Sequence, residues 1–60
     1  MHKVIFRSHD FETERMMSFA PVIGTAITFE GKGFIVESVT IHLTLDFWET
    51  PKITVWMYLD

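Results

Sequence analysis

The alternation of apolar and polar positions changes parity once, inside the longest apolar-rich stretch of the chain. From Phe34 to Leu45 it reads Phe-Ile-Val-Glu-Ser-Val-Thr-Ile-His-Leu-Thr-Leu. Val39, Ile41, Leu43 and Leu45 alternate with Thr40, His42 and Thr44, the period-two signature of a strand with one buried face. Phe34 and Val36 are also two apart, on the opposite parity. One extra residue at Glu37-Ser38 would bring all six apolar side chains onto one face. A β-bulge does this, and it also bends the strand and increases its twist. The expected centre of the molecule is one bent strand from Phe34 to Leu45.

Three further strands follow from the same period. His2 to Ser8 places Val4 and Phe6 on one face and Lys3, Ile5 and Arg7 on the other. Thr25 to Glu30 places Ile27 and Phe29 opposite Ala26, Thr28 and Glu30. Lys52 to Leu59 places Ile53, Val55, Met57 and Leu59 opposite Lys52, Thr54, Trp56 and Tyr58. Glu30-Gly31-Lys32-Gly33 predicts a tight turn, with two glycines free to take positive φ. Asp46-Phe47-Trp48-Glu49-Thr50-Pro51 predicts a longer one.

Residues 9–20 break the strand pattern. Asp10-Phe11-Glu12-Thr13-Glu14-Arg15-Met16-Met17 has acidic residues early and good helix formers after them, with Ser8 or Asp10 available as an N-cap. One or two helical turns, or an ordered loop, are expected there, covering part of one sheet face and ending at Pro21. Short connections favour antiparallel neighbours. The predicted fold is therefore mainly β, with a β-rich α+β arrangement as the other option. It is a small twisted antiparallel sheet of about four strands with one short helical or irregular segment.

Sixty residues make a single domain, 1–60, and a domain of that size buries only roughly 60% of its unfolded surface. The chain nevertheless carries six Phe, two Trp and one Tyr. One sheet with one covering segment cannot hide them all, so a homodimer or an exposed partner-binding patch is expected. With no cysteine, disulfides and thiolate metal sites are excluded, which fits a reducing cytoplasm. The longest apolar runs are only a few residues, too short for a membrane span. The first seven residues lack the features of a signal peptide, so a complete cytosolic product is expected. The net charge is −3, and Lys3, Arg7, Arg15, Lys32 and Lys52 are scattered rather than gathered into a stripe. That distribution argues against binding a nucleic-acid backbone.

Candidate chemistry adds little. His2, His9 and His42 form no metal-ligand spacing, and His42 shares a strand face with Thr40 and Thr44. Asp10, Glu12 and Glu14 suit a solvated helix start, or an acidic surface for a basic patch on another protein. Ser8, His9 and Asp10 are adjacent, whereas members of a catalytic triad converge from separate elements. Gly31-Lys32-Gly33 is too short to cradle a phosphate. No catalytic residue, metal ligand or cofactor is expected, and the chain is not read as an enzyme. The aromatic residues are the lead instead. Trp56 and Tyr58 project from the face opposite Val55 and Met57, and Ile5 does so from the first strand. Phe47 and Trp48 occupy a turn. With His42, these six form the expected protein-binding or self-association surface.

Two resemblances bear on function. The spacing Pro21-x-x-Gly24-x-x-Ile27-x-Phe29-x-Gly31-x-x-Phe34-x-Val36-x-x-Val39 resembles the opening hairpin of SH3-like small barrels, over about a third of the chain. It implies, as one alternative, a nucleic-acid or ribonucleoprotein module. In length, mild acidity, lack of cysteine and aromatic load, the chain resembles the small accessory proteins that bacteriophages encode to inhibit host enzymes or defence systems. That resemblance implies stoichiometric binding to a protein target in the host cytoplasm, without catalysis. The remaining alternative is a structural subunit of a virion or a toxin–antitoxin assembly.

Overall fold

A computed structural model describes residues 1–46 and 48–60. It contains five strands: β1 (His2–Arg7), β2 (Glu12–Met17), β3 (Ala26–Phe29), β4 (Lys32–His42) and β5 (Lys52–Leu59). They form one sheet in the order β2-β1-β5-β4-β3. Among the described residues there is no helix, and so none long and apolar enough to cross a membrane.

The fifth strand is β2, which lies where helical turns or a loop were expected. Its six residues pair antiparallel with β1, from Arg7↔Glu12 to His2↔Met17. An isolated helix of this length is marginal in water. Here the adjacent edge of β1 offers a full ladder instead. The alternate acids also favour the strand, because they put Glu12 and Glu14 on one face, Glu12 opposite Arg7 and Glu14 diagonal to Lys3. Arg7 Nε is 2.8 Å from Glu12 Oε1, and Lys3 Nζ is 3.9 Å from Glu14 Oε2. Ser8 caps no helix; its amide donates to the carbonyl of Phe11 at 2.9 Å, closing the turn between the strands.

The sheet is mixed rather than wholly antiparallel. β5 lies beside β1 in parallel, from Lys3↔Lys52 to Arg7↔Trp56, on the edge of β1 that β2 leaves open. The remaining pairs are antiparallel. In the β4–β5 ladder Val36 faces Met57 and Ser38 faces Trp56, so Glu37 is the extra residue of a bulge, where the parity of the sequence changes.

The bulge puts Phe34, Val36, Val39 and Ile41 on one face, but only Phe34 and Val36 are fully buried, and Ile41 is exposed. Leu43 and Leu45 lie beyond the end of β4 and are exposed as well. Lys52, which pairs with His42, is the first residue of β5, so no partner strand extends past that point. Leu59, expected inside, is exposed at the other margin of the sheet.

The hairpin turn is tighter than expected. Glu30 (φ 49°) and Gly31 (φ 83°) are its two central residues, a type I′ geometry whose twist matches the flanking strands. Gly33 is not part of it and pairs with Thr28. A second turn at 22–25 is closed by Thr25 N to Val22 O at 3.0 Å, and Gly24 (φ 91°) supplies the positive φ of a type II turn.

The sheet curls strongly enough to enclose its own core. β1 and β3 are three strand spacings apart, about 14 Å in a flat sheet. Yet the rings of Phe6 and Phe29 are 5.3 Å apart. Phe11 reaches in from the β1–β2 turn and meets Phe29 and Phe34 edge to face, at 5.9 and 5.2 Å. These rings close one end of the concave face over Val4, Val36, Val55 and Met57. Ala20 and the buried Pro21, from the β2–β3 connection, lie against the same side.

Candidate functional site: the outer face of the sheet

Every strand that supplies a core residue presents the alternate residue to the convex side. The register brings Arg7, Trp56 and Ser38 into one row and Ile5, Thr54 and Thr40 into the next, with Tyr58 beside Ile35. Trp56 and Tyr58 are exposed and Ile5 is half-buried. Ile5, Trp56 and Tyr58 therefore share one face, and His42 is the fourth of the six expected surface residues on it.

His42 belongs to the same face at its far end, where its Nε2 lies 3.2 Å from Thr54 Oγ1. Trp48 is exposed in the loop between β4 and β5, beyond the His42–Lys52 pair. Phe47 lies outside the described residues.

Trp56 is held in place by electrostatics as well as by the strand. The Arg7 guanidinium carbon sits 4.9 Å from the centre of the indole, a cation–π contact. Glu12 grips the same guanidinium from the other side, giving a row Glu12–Arg7–Trp56 across β2, β1 and β5. One side of the indole is thus covered by a cation that is itself neutralised.

Next to this row is a hollow of about 390 Å³ lined by His9, Asp10, Glu37, Trp56 and Tyr58 among others. The bulge creates part of it, because Glu37 has no cross-strand partner. Sequence reasoning placed Glu37 at the bulge and Asp10 in an acidic run, but did not bring them together beside Trp56.

As chemistry, the face offers recognition groups more than reacting ones. Thr54 and His42 are within nucleophile–base reach, but among the described residues no third group orients the imidazole. The pair reads as a cross-strand polar contact. No group of three or more His, Asp or Glu stands together to hold a metal ion among the described residues. What the face does present is two amphipathic rings at a hollow that Asp10 and Glu37 also line. No protein-family model, curated protein or solved structure matches this chain.

Proposed function

We propose that this chain is a non-enzymatic protein-binding module that works as a homodimer and binds a protein target stoichiometrically through its outer face. The observation that carries the reading is Trp56 and Tyr58, exposed side by side on a sheet face that no second layer covers among the described residues. Exposed tryptophan and tyrosine in such a setting are the side chains that dominate binding energy at protein interfaces. Asp10 and Glu37 beside them favour a target that offers a basic side chain flanked by apolar surface. A small phage-encoded inhibitor of a host or defence protein, acting in the cytoplasm, is the biological setting that this mode of action fits. The net charge of −3 weighs against the nucleic-acid alternative.

The test is differential capture from lysate of the cell in which the protein acts. Wild-type protein, Trp56→Ala and Tyr58→Ala are compared, each checked for native circular dichroism. The expected result is one protein retained by the wild type and reduced at least about tenfold with either variant. Equal retention by folded variants would remove the outer face from the reading.

A further inference from the structure

The outer edge of β4 is only half used. Lys32 to Ile35 pair with β3, and Val36 exchanges hydrogen bonds with Gly24 and Thr25 at 2.9 and 3.0 Å. From Ser38 to His42 the strand pairs with β5 alone, and among the described residues no loop backbone bonds to its other side. An open row of backbone donors and acceptors is a template for another strand.

The three open edges of the sheet differ in how they are guarded. β2 carries Glu12, Glu14 and Arg15 within six residues, and a copy of itself centred on Glu14 or Arg15 would set like charges opposite each other. β3 is only four residues long. The stretch Ser38-Val39-Thr40-Ile41-His42 has no acidic residue, lysine or arginine and three β-branched residues in a row.

We propose that a second copy of this chain pairs antiparallel along Ser38–His42, about a two-fold axis at Thr40. This rests on the self-association in the reading above and places it on the β4 edge, leaving the Trp56 face for the target. A residue-centred axis keeps the concave sides of the two sheets together. Val39 then faces the partner's Ile41, Ser38 faces the partner's His42, and Thr40 faces its own copy. An axis at Val39 would put His42 opposite the partner's Val36, whose edge is already taken by Gly24 and Thr25. An axis at Ile41 would shorten the ladder. Thr40 gives the longest ladder that avoids the occupied edge, and β4 ends at His42, just before the collision would begin.

The same axis resolves two exposed apolar groups. It carries Leu43, just past the end of β4, towards the partner's 22–25 turn, where Val22 and Ile23 sit. Ile41, Leu43, Val22 and Ile23 are each more than half exposed in the single chain. A stable interface takes about 800 Å² from each partner. Five rungs of ladder would fall short of that, and these four side chains from each copy add the apolar contact the ladder lacks.

The absence of cysteine makes the test direct. Single-cysteine variants Thr40→Cys, Glu14→Cys and Tyr58→Cys place one thiol on the proposed axis, on the β2 edge and on the outer face. Directly opposed residues on paired antiparallel strands have Cβ atoms about 4.5–5.5 Å apart, close enough to bridge with a small adjustment. The expected result is a dimer by light scattering, with Thr40→Cys cross-linking under mild oxidation about tenfold or more faster than either control. Thr40→Lys, which sets two like charges face to face, is expected to weaken the dimer about fivefold or more while the exposed position leaves the fold intact.

A monomer by light scattering, or a control thiol that cross-links as fast as Thr40→Cys, overturns the proposal. If Thr40→Lys fails to fold, the cross-linking rates decide alone. A dimer joined at Tyr58 would sink this inference but keep the self-association it rests on. A Thr40-linked dimer with unchanged target capture by Trp56→Ala would do the reverse, sinking the outer-face reading alone.

Discussion

Along β5, Ile53, Val55 and Met57 are at most 4% exposed, whereas Trp56 and Tyr58, interleaved with them, are 42% and 50% exposed. The two faces share every strand and every backbone hydrogen bond, so neither propensity nor pairing accounts for the difference. Curvature does. On the concave side the sheet folds back until its edge strands meet through side chains, with Arg15 of β2 5.8 Å from the ring of Phe29 on β3. Four flat strand spacings would separate them by about 19 Å. The sheet thus serves as its own second layer, and among the described residues no further strand or helix lies over the convex side. Large exposed aromatics on this sheet follow from the way it closes: the concave side is used up by the core, and Trp56 and Tyr58 remain on the convex one.

The most severe way to break this comparison is to put the same substitution on each face of β5. A chain of this size is held by roughly 3–9 kcal/mol in all. An unpaired carboxylate at Val55, which is 0% exposed, costs several kcal/mol or more. Val55→Asp is expected to be unfolded by circular dichroism and to lose amide dispersion in NMR spectra. Tyr58→Asp, three residues on and exposed, is expected to stay folded. If both variants behaved alike, the two faces would not be distinct.

A smaller change tests the curl itself. Phe29 touches Phe6, Phe11 and Phe34 and receives Arg15, so it bridges both edge strands. Phe29→Ala is expected to cost about 3 kcal/mol in denaturant unfolding. Its sharper signature is in hydrogen exchange: protection in β2 should fall more than in β4 and β5, whose ladder is independent of the seam. A uniform fall across the sheet would mean that Phe29 supports the core generally and does not hold the seam.

Much of this was legible in the residues, and the exceptions have physical causes. The parity switch located the bulge at Glu37, and period two gave the bounds of β5 and the facing of Val4, Phe6, Phe34, Val36, Ile53, Val55 and Met57. These depend on local alternation alone. β2 was not legible as a strand, because Glu, Arg and Met are ordinary helix formers and only the neighbouring edge of β1 selects the extended form. The parallel pairing of β5 with β1 joins the two ends of the chain, which no local window of sequence encodes. For the candidate site, Ile5, Trp56 and Tyr58 followed from parity. The approach of Asp10 and Glu37 to Trp56 needed the position of β2.

The gentlest probe of the outer face is the Glu12–Arg7–Trp56 row, because it separates order from stability. Exposed ion pairs contribute little, so a double-mutant cycle of Arg7→Ala and Glu12→Ala is expected to give a coupling of about 0.5 kcal/mol that shrinks as salt is raised. Within the row, Glu12 holds the guanidinium that covers one side of the indole. Glu12→Ala alone should therefore change the fluorescence of Trp56 while moving the unfolding midpoint only slightly. Trp48 contributes to the same spectrum, so the measurement is made in a Trp48→Phe background. A large loss of stability would mean that the convex face carries part of the core after all. Unchanged fluorescence would mean that Arg7 keeps its place over the ring without Glu12, leaving strand geometry alone to orient Trp56.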